Sequence, residues 1–190
     1  MTAPPLPRRR ASWREVPVVV VLALVLSAVL KTFVLQVFYI PSGSMEPTLH
    51  GCKGCPGNDR VLVSKLDYRF GEPERGDIVV FDGRGSFTDE DGQEKDYVKR
   101  VIGEPGDVVA CCDADGRVTV NSRALDEPYL FEDNSRAFGP VTVGPGRLWV
   151  MGDHRSASSD SRDHGAVPVD AVVGRAVATV WPVRRVTWLR

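Results

Sequence analysis

The feature that most constrains this chain is a stretch near its start, residues 16–45, that holds one charge, Lys31, in thirty positions. Residues 16–30 are uncharged and rich in Val and Leu. Residues 32–40 continue the apolar character with only Thr32 and Gln36 clearly polar. A helix needs about 20 apolar residues to span a bilayer. With Lys31 reaching toward the headgroups, residues 17–38 meet that length, and Pro17 suits a first helical turn because its missing N–H is not needed there. A cleavable secretory signal would be followed by a small-x-small site, which Lys31, Thr32, Phe33, Val34 and Leu35 do not supply. A buried core helix would show a polar face, and residues 18–26 show none.

Charge is segregated around this stretch. Arg8, Arg9, Arg10 and Arg14 against Glu15 make the tip +3. With Lys31 and an overall charge of -1, that leaves -5 for residues 46–190. The sequence therefore predicts a basic cytoplasmic tail (1–15), a transmembrane anchor (16–38) and an extracytoplasmic domain (39–190), oriented by the arginines before the helix. A sequence pI near 6.3 argues against nucleic-acid binding, which calls for a basic face.

The domain beyond the anchor reads as short β-branched runs punctuated by Gly, Pro, Asp and Asn. The best strands are 60–66, 77–81, 97–102, 117–121, 147–151 and 172–180. No amphipathic helix of ten or more residues follows Ile40. The expected fold is mainly β: a single transmembrane helix followed by an antiparallel β-sheet catalytic domain, a partly open barrel or sandwich. The charged segment 82–95 reads as an exposed hairpin loop.

Two places suggest chemistry. Residues 40–49 (IPSGSMEPTL) form a Pro- and Gly-punctuated turn around Ser42 and Ser44, a geometry that lifts a hydroxyl and gathers backbone N–H groups. A base must activate such a hydroxyl. The chain offers His50, His154 and His164, and Asp153 with His154 could join a serine in a triad. A lysine serves if burial removes its charge. In the run 97–102 (YVKRVI), strand alternation puts Lys99 between Tyr97 and Val101 on one face, so an inward orientation would depress its pKa.

Four segments in order, 41–49 (PSGSMEPTL), 75–81 (RGDIVVF), 97–107 (YVKRVIGEPGD) and 151–162 (MGDHRSASSDSR), resemble the type I signal peptidases. These are membrane-bound serine proteases with a Ser-Lys dyad. The resemblance spans the anchor to Arg162 and suggests a Gram-positive, actinobacterial-like form. It implies Ser44 as nucleophile, Lys99 as general base, and Ser42 with the Ser44 amide as the oxyanion hole. It further implies Ser158 as the hydroxyl that positions the lysine, with Ser159 as its competitor, and Asp160 and Arg162 as a buried ion pair bracing that loop. His154 and Ser156-Ala157 depart from the usual pattern without touching the dyad. The implied activity is cleavage of signal peptides from exported preproteins after small-x-small motifs, with no cofactor and no metal. The implied partners are preproteins emerging from the secretion translocon and the lipids of the bacterial plasma membrane. The competing reading is an anchored, non-catalytic β-domain that binds envelope partners.

Cys52, Cys55, Cys111 and Cys112 are an even set in a domain placed outside, which favours disulfides over zinc because adjacent cysteines are poor tetrahedral partners. Of the three connectivities, pairing between the two clusters is expected, since a bridge between neighbours would be strained.

Overall fold

The computed structural model describes residues 13, 15–84, 87, 96–132 and 136–189. The tail expected at 1–15 lies largely outside the described residues, as does most of the loop expected at 82–95.

The apolar run divides in two. Helix α1 (Glu15–Phe33) is followed directly by strand β1 (Leu35–Tyr39), so the helix stops five residues short of the expected end at residue 38. The reason is tertiary. β1 pairs antiparallel with β2 (Arg60–Ser64), from Leu35 opposite Ser64 to Tyr39 opposite Arg60, and Phe38 packs against a buried cluster. Among the described residues, no helix is long and apolar enough to cross a membrane.

The remaining elements are short helix α2 (Asp67–Phe70), then β3 (Ile78–Asp82), β4 (Asp96–Gly103), β5 (Val108–Cys111), β6 (Val118–Val120), β7 (Arg123–Ala124), β8 (Phe138–Thr142) and β9 (Arg147–Met151). Helix α3 (Ser161–His164) precedes β10 (Val167–Pro168), β11 (Val172–Trp181) and β12 (Thr187–Trp188). One sheet runs β1-β2-β11-β3-β4-β9-β10, with β12 on β11; a second runs β7-β6-β5-β8. Every pairing is antiparallel.

Each of the six runs expected as strands overlaps one, and β1, β5, β7, β8, β10 and β12 add to them. The second sheet is built mostly from these short pieces, which carry little alternation of their own. Their burial comes from Val109, Val118 and Val120 packing on Ile102, Trp149 and Met151 of the main sheet. A second cluster, including Ile40, Met45, Leu49, Val61 and Ile78, lies under the serine turn and fixes it to the main sheet.

The cysteines pair within their clusters, Cys52 with Cys55 and Cys111 with Cys112, which overturns the expected pairing between clusters. The fold puts the two clusters on different sheets: Cys52 belongs to the loop between β1 and β2 of the main sheet, whereas Cys111 ends β5 in the second sheet.

Candidate active site

The serine turn leaves the end of β1 and is held at both ends. The Ile40 N–H donates to Asp59 O at 3.0 Å, and the Leu49 N–H closes onto Met45 O at 2.8 Å. Met45 and Leu49 point into the core while Ser42 stays exposed, so the apolar side chains act as anchors that leave the hydroxyls at the surface of a cleft.

Ser44 is 7% exposed and Lys99 4%, and the Lys99 amine donates to Ser44 Oγ at 2.9 Å. Ser42 Oγ lies 3.3 Å from Ser44 Oγ. Lys99 comes from the middle of β4, with Val79 of β3 directly opposite. Burial strips water from the amine and pushes its pKa down to about 8. The carboxylates of Asp160 and Asp153 pull it back upward, but less.

A tight loop after β9 closes the other side. Gly152 sits where a side chain cannot: a Cβ there would fall 2.4 Å from Ser44 O and 2.3 Å from Ser158 Oγ. His154 donates its N–H to Ser44 O at 3.1 Å. Ser158 is buried and its hydroxyl donates to Asp160 Oδ2 at 2.7 Å, whereas Ser159 is exposed and its hydroxyl pairs with His164 Nε2 at 2.6 Å. Asp160 also accepts the Gly152 N–H at 3.0 Å and forms a buried pair with Arg162 at 2.8 Å. Burial would raise the Asp160 carboxyl, but the Arg162 guanidinium, the Gly152 amide and the Ser158 hydroxyl outweigh it and hold it below the usual carboxylate range.

Three groups prominent here escaped the sequence reading. Arg100, beside Lys99 but on the opposite face of the strand, meets Asp153 in a second buried ion pair at 2.7 Å, and Thr48 donates to the same carboxylate at 2.5 Å. This ties β4, the serine turn and the loop after β9 together. Glu127 pairs with Arg155 in a third buried ion pair, and Gly152 provides the close approach described above. Their neighbours in the motifs were visible, but nothing local says which arginine meets which acid.

Asp153 is thus committed to Arg100 and Thr48. Each histidine ring is engaged elsewhere: His154 Nδ1 lies 3.3 Å from Gly43 O, His50 pairs with Glu46 at 2.7 Å, and His164 meets Ser159. A Ser-His-Asp triad is not assembled among the described residues.

Ser44 and Lys99 open on a cleft of about 230 Å³, walled by residues 38–41, the serine turn with Met45, and residues 96–99 of β4. It is mostly apolar, with Ser42, Ser44, Asp96 and Lys99 among the polar groups that line it. Among the described residues, no cluster of His, Cys, Asp and Glu has the makings of a metal site.

The model of a family described as "Signal peptidase, peptidase S26" matches residues 13–181. The signal peptidase I of Mycobacterium tuberculosis (strain ATCC 25618 / H37Rv) is 43% identical, the match covering 97% of this chain and 78% of that protein. A probable signal peptidase I-2 of Synechocystis is 40% identical over 92% of this chain and 76% of its own length. Signal peptidase I T of Bacillus subtilis is 33% identical, over 86% and 82% respectively.

Proposed function

The chain belongs to the signal peptidase family, peptidase S26, a serine endopeptidase family, and on that premise we propose that it cleaves signal peptides with Ser44 as nucleophile and Lys99 as general base. The observation that carries this reading is the buried Lys99 amine 2.9 Å from Ser44 Oγ, with its pKa brought down to about 8. A neutral amine takes the serine proton as the hydroxyl attacks the scissile carbonyl. The tetrahedral oxyanion so formed collapses to an acyl-enzyme as the scissile C–N bond breaks, and the proton held by the lysine passes to the leaving amine of the downstream chain. The same amine then accepts a proton from water for deacylation.

The Ser44 N–H and the Ser42 hydroxyl are assigned to the oxyanion, a contribution of about 3 kcal/mol for one donor in comparable sites. Ser158 and the Asp160–Arg162 pair are assigned to holding the lysine's surroundings. Their shared contacts at Gly152, which abuts Ser44 O, support that role. The cleft beside the dyad is assigned to the small side chains before the cut.

We also assign α1 to the membrane as the anchor of the protein, with the arginine-bearing N-terminus cytoplasmic and the β domain on the outer side. Support comes from its surface: Val18, Val21, Leu22, Leu24, Val25 and Leu26 are all more than half exposed, and such an apolar face all round has no place in water.

The deciding experiment incubates the detergent-solubilised protein with a preprotein beside Ser44→Ala and Lys99→Ala. Cleavage by the parent and loss in both variants is the expected result. Undiminished cleavage by either variant overturns the dyad, and no cleavage by the parent favours a non-catalytic binding domain.

A further inference from the structure

The loop between the serine turn and β2 takes no part in the chemistry above, yet it is tightly built. Cys52 and Cys55 close it covalently. Asn58, 3% exposed, accepts the Cys52 N–H at 3.2 Å and donates from Nδ2 to Cys52 O and to the Tyr39 hydroxyl, both at 2.7 Å. The next residue continues the link, since Asp59 O accepts the Ile40 N–H and its own N–H donates to His50 O at 2.9 Å. At Gly51 a Cβ would fall 2.4 Å from Ile40 O and 2.8 Å from Ser42 O, so the loop backbone lies directly against the start of the serine turn.

What this loop holds is the cleft wall. Residues 38–41 form that wall: they are the last two residues of β1 and the two that follow it, and β1 is an outermost strand of its sheet, with β2 as its neighbour on one side. An outer strand lacks the second row of ladder bonds that keeps an inner strand in place. The Asn58–Tyr39 bond supplies a side-chain tether at the position where β1 becomes the cleft.

We propose that Asn58 is a positioning residue for substrate: held by the Cys52–Cys55 loop, it fixes Tyr39 and with it the β1 wall of the cleft. The proposal rests on the reading that the cleft takes the end of a signal peptide. The Asn58 carboxamide bonds to Cys52 and Tyr39 and not to Ser44 or Lys99, so it acts on binding and leaves the chemical step alone. The disulfide acts through Asn58, because Cys52 supplies both backbone groups that orient the carboxamide.

The test compares Tyr39→Phe, Asn58→Ala and the double variant in the full-length, detergent-solubilised protein. Tyr39→Phe is expected to raise KM for a preprotein about 3- to 10-fold, the worth of one hydrogen bond, and Asn58→Ala at least as much, each with kcat within about twofold. The double variant is expected to be no worse than the worse single one, since both remove the same bond. Replacing Cys52 and Cys55 together by Ser is expected to move KM in the same direction. An unchanged KM, a parallel fall in kcat, or additive effects would overturn the proposal. Tyr39→Phe removes one hydroxyl from a half-exposed ring and carries the test if Asn58→Ala does not fold.

Affinity for a signal-peptide fragment, measured with Ser44→Ala as the background, separates the two readings. Weakened binding on adding Tyr39→Phe supports the tether whatever the catalytic residues prove to be. Unaltered binding overturns it even if the dyad stands.

Discussion

The Lys99 amine donates to Ser44 Oγ at 2.9 Å, across 55 residues of sequence, from a position almost closed to water. Because the amine is buried, its charge bears on stability and, with Lys99 as the proposed base, on reactivity.

Activity is expected to rise with pH and level off above a midpoint near 8. Below that pKa Lys99 is an ammonium and has no lone pair for the serine proton; above it the base is free. The check is kcat for preprotein cleavage from pH 6 to 10, where a single ionisation with unit slope is expected. A midpoint near 6.5 that vanishes on replacing His154 would transfer the base to histidine.

The same lysine costs stability at neutral pH. Its pKa is about 8 folded against a reference value of 10.5. Between these values the unfolded chain holds a proton that the native state has released, so stability rises with pH across that window. Below about pH 8 the full penalty applies, about 3 kcal/mol for a shift of this size. Lys99→Met is therefore expected to be inactive and to melt several degrees higher than the parent at pH 7. The gain should shrink between pH 8 and 10, and calorimetry at three pH values checks the sign. A lower melting temperature at pH 7 would contradict it.

Gly152→Ala is expected to lower kcat about 100-fold, the scale of a displacement of about 1 Å at a reacting group. The added Cβ would meet Ser44 O at 2.4 Å and Ser158 Oγ at 2.3 Å, and a backbone oxygen cannot step aside cheaply. A stability loss of about 1–3 kcal/mol should accompany it. Full activity in this variant would mean that the loop after β9 does not set the nucleophile's position.

Ser158→Ala and Ser159→Ala discriminate the two neighbouring hydroxyls. Ser158 is buried against Asp160, and its loss leaves that carboxylate short of a donor, so a fall of about 10- to 100-fold in kcat is expected. Ser159 faces solvent with His164, and its loss should stay within about twofold. Steady-state kinetics on the pair is sufficient, and the reverse order would exchange their roles.

Much of the candidate site was legible because it is written locally. The Pro and Gly around Ser42 and Ser44 signal a turn, the alternation around Lys99 signals a strand, and four motifs in order carry the family resemblance. The cysteine pairing was misread because sequence spacing says nothing about which loops the sheets bring together. The end of α1 was misread because Leu35, Val37 and Phe38 are equally at home in an apolar helix and an outer strand; pairing with Arg60–Ser64 decides between them. Ser158 and Ser159 look alike in sequence, and only the fold turns one inward.

By itself the sequence determined the chemistry available: a hydroxyl on a sharp turn, a lysine within a β strand, an apolar stretch ahead of them and a body of strands. Tertiary structure decided which groups meet, that Arg100 pairs with Asp153 and Arg162 with Asp160, and that the lysine is dry. Composition and periodicity depend on neighbours along the chain. Desolvation and ion pairing depend on neighbours in space, and those exist only once β4, the serine turn and the loop after β9 have packed together.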